Sequence, residues 1–235
     1  MTSSSSSPAS ARVDCASARL KISAGVSFVD IVAHNKARAA SRKGARRRVF
    51  GYQQAMPLLL VRHCESAMPD ADALTAKGQS DAFRLAAPLK ALGADAVYAS
   101  PYQRAVATIA PLAASLGQQI RIDARLRERD SHMFDSLDEF YTHMRRCFSD
   151  ADLKLDDEES IREVATRGLE TLAAIARAGH ALPAIACHGQ IIAAMLGLSF
   201  DQWRALTMPG VFLIDWRGGA IASYREIPLS TLWRA

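Results

Sequence analysis

The chain has 235 residues, 49% of them apolar and 23% charged, with four cysteines and a formal net charge of +5. That length suits one domain plus an extension, and the composition is that of an ordinary soluble globular protein. No apolar run approaches the ~18 residues of a membrane span, and four cysteines without a CxxC pair argue against a disulfide framework or a metal-binding spacing, which favours a reducing compartment.

The basic charge is unevenly placed. Residues 1–55 carry ten Lys/Arg and two acids, Asp14 and Asp30, for a net of +8, whereas the remaining residues net −3. A mildly acidic body is not built to bind nucleic acid, which calls for a basic face. The leader opens with SSSSSPAS and closes with SRKGARRRVFGYQQA. Three readings stay open for it. Translation starting at Met56, just before the first strand, is the simplest. An organellar transit peptide fits the Arg- and Ser-rich, acid-poor composition. A basic arm or nuclear address rests on RKGARRR alone. Within the leader, residues 24–35 could form a short strand or helix, and His34 has no evident partner. A cytoplasmic location follows if the leader is absent or inert, an organelle if it is a transit peptide.

The body, residues 56–235, alternates strands and helices. PLLLVRH (57–63) is the continuous apolar run of a strand covered on both faces. Thr75 offers an N-cap for a helix running to Gly93. DAVYAS (95–100) predicts a second strand, and a helix beginning near Pro101 runs to Gly117. QIRID (119–123) reads as a third strand. A helix is expected over 136–148. The run DDEE (156–159) reads as the solvated start of a long amphipathic helix. PAIACH (183–188) is a strand and GQIIAAMLGL a helix. GVFLIDW and AIASYRE flank Arg217, Gly218 and Gly219, a hairpin signal. Such alternation predicts a three-layer α/β/α sandwich with a mostly parallel central sheet, in which chemistry gathers beyond the carboxyl ends of the strands.

Several chemically able side chains fall on those ends. Arg62 and His63 close the first strand, Arg104 lies one turn into the helix after the second, Glu128 follows the third, and His188 closes PAIACH. Phosphoryl transfer through a phosphohistidine uses this set. A neutral imidazole is a competent nucleophile near pH 7. Guanidiniums grip phosphoryl oxygens bidentately, and a second histidine adds a donor. A carboxyl protonates the leaving alkoxide and then activates water. The cationic side chains supply the charge stabilisation, so neither metal nor cofactor is expected.

The body resembles the histidine phosphatase superfamily, in its phosphoglycerate mutase-like branch, over most of residues 57 to about 225. LLLVRHCES is similar to the signature strand and RHGE-type motif, LTAKGQSDA to LTxxGxxQA, SPYQRAVAT to SxxxRAxxT, LRERD to the LxE segment, EES to a GES-like helix start, and ACHGQII to the second-histidine motif. The six occur in family order. The resemblance implies a phosphoglycerate mutase-like fold, with His63 as the phosphorylated nucleophile, Arg62 and Arg104 as phosphoryl ligands, His188 as the second phosphate-binding histidine, and Glu128 as general acid and base. It implies a metal-independent hydrolase of a small phosphorylated substrate, with a phosphoprotein as an alternative partner. Protein phosphohistidine phosphatase and phosphoglycerate-type mutase are the near alternatives. A catalytically inactive phosphate-binding scaffold is the alternative from another class.

The chain departs from the family pattern in places. Cys64 stands where Gly is usual, Ala67, Met68 and Pro69 replace a common Asn, Asp81 replaces a Gln, and DSHMFDS lacks the expected glycines. Only residues 66 to 73 separate Glu65 from Leu74, too few for the lid a mutase needs to keep water out. Glu65 is expected to brace the loop and Ser100 to cap its helix. His132 is expected to be exposed rather than to line the pocket, and His143 and His180 to sit on the surface. Cys64 and Cys187 are expected to be two buried thiols rather than a disulfide, because adjacent strand residues point to opposite faces.

Overall fold

The computed structural model describes residues 55–67 and 72–234. The expectations for the leader therefore lie outside the described residues, apart from its last, Ala55. Six strands form one sheet: β1 (Met56–Arg62), β2 (Ala96–Ala99), β3 (Arg121–Ile122), β4 (Pro183–Cys187), β5 (Gly210–Arg217) and β6 (Ala220–Glu226), in the order β3-β2-β4-β1-β5-β6. The pairs β3/β2, β2/β4 and β4/β1 are parallel, while β5 runs antiparallel to both β1 and β6. Five of the six strands thus share one direction, giving the mostly parallel sandwich the alternation predicts.

The apolar run of β1 is continuous because both of its faces are covered. Leu59 and Val61 pack into one core with helices α1 (Ala76–Ala91) and α2 (Gln103–Leu116). Leu58 and Leu60 pack into the other with α3 (Leu137–Ser149), α4 (Ile161–Arg177), α5 (Gly189–Leu196) and α6 (Phe200–Arg204). Leu58, Leu59 and Leu60 are fully buried, each contributing about 1.5–3 kcal/mol of transfer free energy. A last short helix, α7 (Leu229–Leu232), covers the first layer. No helix among the described residues is long and apolar enough to cross a membrane.

Two local features differ from expectation. The acidic run 156–159 is not a helix start. α4 begins at Ile161, where Ser160 and Glu163 form a capping box, and Glu158 and Glu159 are turned inward into ion pairs. The helix after β2 begins at Gln103 rather than at Pro101.

The chain after β1 is fastened to the start of α1. Thr75 caps α1 through the Gly78 amide, as expected, while its own amide donates to the Glu65 carbonyl at 3.0 Å. Glu65 braces this loop by accepting the Thr75 hydroxyl at 2.9 Å. A Cβ at position 78 would stand 2.1 Å from the Glu65 carbonyl oxygen, so only glycine lets the two segments meet. Gly78→Ala is expected to lower stability by about 2–3 kcal/mol, read as a lower urea midpoint with an unchanged slope.

Candidate active site

The site sits where three neighbouring strands end at one level. The parallel ladder continues one residue past the strands: the His63 amide donates to the Cys187 carbonyl at 3.0 Å, and the Ser100 amide to the Ala186 carbonyl at 2.9 Å. Ser100, His188 and His63 therefore follow β2, β4 and β1 side by side. The helices after β1 and β4 pack on opposite faces of the sheet, which opens a crevice between those two strand ends. The ring centroids of His63 and His188 are 5.2 Å apart.

His63 is nearly buried, and its Nδ1 lies 2.8 Å from the Cys64 carbonyl oxygen. A carbonyl only accepts, so Nδ1 carries the proton and Nε2 keeps its lone pair. Burial, reinforced by Arg104 and Arg62 and only partly countered by the Cys64 carbonyl, lowers its pKa to about 4. The Cys64 backbone is held in turn, because its amide donates to Thr108 Oγ1 at 2.8 Å and that hydroxyl donates to the Arg104 carbonyl at 2.7 Å. His188 is wholly buried. Its Nε2 lies 2.7 Å from Ser100 Oγ, and the Tyr102 ring stands edge-on to it with centroids 5.1 Å apart. Burial first, then His63 and the surrounding cations, lower the His188 pKa to about 2. Both rings are therefore neutral at physiological pH.

The guanidinium of Arg62 lies between the start of α5 and the segment leading into β5. Its Nη1 donates to the Leu206 and Thr207 carbonyls. A Cβ at Gly189 would come within 3.2 Å of its Nε, so the glycine after His188 leaves room for it. Burial lowers the Arg62 pKa and the charge of Glu128 pulls it back. Arg104 lies over the Tyr102 ring, 4.6 Å from its centroid, and pairs with the exposed Asp72 at 3.4 Å. Among the described residues, Arg62 Nε and His188 Nδ1 are buried polar atoms without a hydrogen-bond partner.

Glu128 completes the group from an unexpected direction. Its carboxylate caps the N-terminus of α5, accepting from the amides of Gln190 and Ile191, each at 3.1 Å, and from that of Arg129. The loop bearing it is clamped by Arg167 of α4, whose guanidinium donates to the carbonyls of Arg125, Arg127 and Glu128 and pairs with Glu159 at 2.7 Å. Beside it, Arg129 and Glu158 form an ion pair whose side chains are both 0% exposed.

A family model described as histidine phosphatase superfamily, branch 1, matches residues 58–214. The chain belongs to the histidine phosphatase superfamily. As a member it is an enzyme of the phosphatase class. Solved structures share the fold. A mycobacterial glucosyl-3-phosphoglycerate phosphatase with inorganic phosphate is 22% identical, with a TM-score of 0.58 over 74% of this chain and 96% of that one. YhfR of Bacillus stearothermophilus is 26% identical, with a TM-score of 0.55 over 71% and 94%. A phosphoserine phosphatase mutant of Entamoeba histolytica with phosphoserine is 19% identical, with a TM-score of 0.57 over 72% and 96%. Among curated proteins, none matches this sequence.

This superfamily member brings Arg62, His63 and His188 together around one crevice, with Glu128 on the amides that follow His188 and Arg104 within electrostatic reach of both histidines. Ser100, expected to cap its helix, does not: the N-cap position is Tyr102, and no side chain caps the helix. The Ser100 hydroxyl accepts from the Tyr102 amide at 3.3 Å and meets His188. Tyr102, Thr108 and Arg167 were not singled out, although Thr108 closes the SPYQRAVAT segment. His132 is half-exposed against Asp157, as expected for a loop histidine. His180 is partly buried and meets the Tyr98 hydroxyl at 3.0 Å. His143 is not on the surface: it is buried, and its Nε2 donates to Glu158 at 2.7 Å. Cys64 and Cys187 are buried free thiols belonging to cores on opposite sides of the sheet. Burial pushes the Cys64 thiol up to about 12 and the Cys187 thiol up as well.

His143, Cys147 and Glu158 also form a group of metal-ligating type, their donor atoms within 4.8 Å of one another. Here a cation is already supplied. Arg129 reaches Glu158 Oε2 at 2.9 Å, Met144 Sδ at 3.3 Å and Cys147 Sγ at 3.8 Å. Glu158 Oε2 further accepts from His143 and the Leu155 amide, and Oε1 from the His132 amide. The carboxylate is thus saturated by N–H donors, and the cluster is a buried ion pair that ties α3 to the Glu128 loop.

Removing one partner of such a pair strands the other charge, so Glu158→Ala is expected to cost about 3–5 kcal/mol in urea unfolding. Burial alone would raise the Glu158 carboxyl, but the His132 and Leu155 amides, His143 and Arg129 outweigh it and hold it below its usual value of 4.5. With the folded pKa depressed, the contribution is complete above that value and fades as pH falls through the lowered one. The difference between wild type and variant should shrink accordingly in acid. For His63, an NMR titration of the free protein should give a midpoint at about 4, well below the ~6.5 of an unperturbed imidazole.

Proposed function

We propose that the chain is a metal-independent phosphomonoester hydrolase working through a phosphohistidine on His63. The observation that carries this reading is that two buried nitrogens at the crevice, Arg62 Nε and His188 Nδ1, have no hydrogen-bond partner among the described residues, on either side of an imidazole whose Nε2 keeps its lone pair. Buried donors left unpaired in a native fold call for a ligand that accepts, and a phosphoryl group brings acceptor oxygens on one atom. The structural relatives named as phosphatases of glucosyl-3-phosphoglycerate and phosphoserine support an alkyl phosphomonoester as the substrate class.

In the proposed cycle, Nε2 of His63 attacks phosphorus in line as the bond to the leaving oxygen breaks. Arg62, Arg104 and the Nδ1–H of His188 hold the equatorial oxygens, where charge is stabilised in the transition state. Protonated Glu128 gives its proton to the leaving alkoxide. Ionised Glu128 then takes a proton from water, whose oxygen displaces His63 and releases phosphate. Hydrolysis is favoured over mutase chemistry because the short 66–73 segment offers little to exclude water while a substrate reorients. Phosphoglycerate interconversion faster than phosphate release would overturn that preference.

One observation favours a second reading. In the free protein Glu128 is engaged as an acceptor at the start of α5, a pose that suits a leaving group needing no proton, as in protein phosphohistidine. Glu128→Gln separates the two. A fall of about 10²- to 10³-fold on alkyl phosphates, with phosphohistidine turnover kept, supports the ester reading; unchanged rates on every substrate would remove Glu128 from the mechanism. Trapping with a radiolabelled phosphomonoester should label wild-type protein and leave His63→Ala unlabelled, with phosphate release down at least roughly 10³-fold. Persistent labelling of His63→Ala would refute the reading.

A further inference from the structure

We propose that Ser100 is a positioning residue that fixes His188 in the Nδ1–H tautomer, so that the second imidazole meets a bound phosphoryl group as a neutral N–H donor. The inference rests on the phosphoryl-transfer reading for its purpose, but its geometry stands apart from it.

Ser100 is wholly buried at the end of β2, its backbone fixed by the bond from its amide to Ala186. Its Oγ already accepts the Tyr102 amide. The one hydroxyl hydrogen must still be placed, because a buried donor left unpaired costs about 1–3 kcal/mol. Among the hydrogen bonds of Ser100, the acceptor that can take it is His188 Nε2, at 2.7 Å. Nε2 is then bare of hydrogen, and the ring's proton resides on Nδ1. That atom is buried and has no partner among the described residues. The low proton affinity of His188, set by burial and neighbouring cations, is consistent with a neutral ring.

The two imidazoles thus adopt the same tautomer and offer opposite faces. His63 spends its Nδ1–H on the Cys64 carbonyl and presents a lone pair. His188 spends its Nε2 lone pair on Ser100 and presents a proton. With two guanidiniums nearby, a phosphoryl dianion is balanced without a third cation, and a neutral donor adds a hydrogen bond without excess positive charge that would slow phosphate release. Were His188 protonated, its Nε2–H would face the hydroxyl, and the Ser100 hydrogen would lose its acceptor.

Long-range ¹H–¹⁵N spectra of the uniformly ¹⁵N-labelled full chain at pH 7 test this directly, with His63→Ala and His188→Ala assigning the rings. Wild-type His188 should be neutral with its proton on Nδ1, and titration with inorganic phosphate should shift that N–H. Ser100→Ala should shift the ring toward the Nε2–H form and lower kcat/KM by about ten- to a hundred-fold. Ser100→Thr, which keeps the hydroxyl, should restore both. A wild-type His188 that is protonated, or that carries its proton on Nε2, overturns the proposal without any variant having to fold. So does a Ser100→Ala protein that retains the Nδ1–H tautomer, or an Nδ1–H signal indifferent to phosphate. If the tautomer and its phosphate response are found but no phosphomonoester is hydrolysed, the tautomer lock stands and the catalytic reading fails.

Discussion

The hydrogen bond from the His63 amide to the Cys187 carbonyl is the constraint from which the site follows. It carries the β1/β4 ladder one residue beyond the regular strands and so fixes the level at which both histidines leave the sheet. Because β4 lies between β1 and β2, the same strand also receives the Ser100 amide. Three segments far apart in sequence are thereby held at hydrogen-bond spacing by backbone pairing alone. Side-chain packing above and below the sheet, in two cores that alternate residues of β1 share, keeps that spacing rigid.

A second tier of interactions holds what the sheet cannot. The Glu128 loop follows the two-residue β3 and has little secondary structure beyond the short turn Ala124–Leu126. Its carbonyls are instead satisfied by Arg167, and its flank is pinned by the buried pair of Arg129 and Glu158. Such pairs are costly to bury, and their worth lies less in net stability than in the geometry that depends on both partners being present. They orient the loop so that its carboxylate meets the positive end of α5, the helix that His188 itself introduces.

The strand-end positions of both histidines and Arg62 were legible because an apolar run that stops at an imidazole or a cation is readable from local order, whereas their belonging to one site rested on the joint pattern of several strand ends. Thr75 was legible for the same reason, since capping is a matter of neighbours. The inward Glu158 and Glu159 were not. Four consecutive acids read as solvated, and nothing local announces that Arg129 and Arg167 arrive from elsewhere in the fold to pair with them. His143 was legible in principle. It shares helical spacing with Phe140, Met144 and Cys147 and falls in the stripe that α3 turns to the core, but a titratable side chain in such a stripe needs a partner that the sequence does not reveal. The work of Ser100 depended on two strands being neighbours, which only the sheet order supplies.

The placement of the two cysteines has a consequence for chemistry under oxidative stress. Cys64 and Cys187 each adjoin a site histidine in sequence, yet each sulfur is wholly buried in its own layer with the sheet between them. Their thiols are disfavoured as thiolates, the form that reacts with peroxide. An oxidant therefore meets both sulfurs only as buried, protonated thiols. The sheet acts as an insulating partition, and a position that many would suspect of redox sensitivity is shielded from it by architecture.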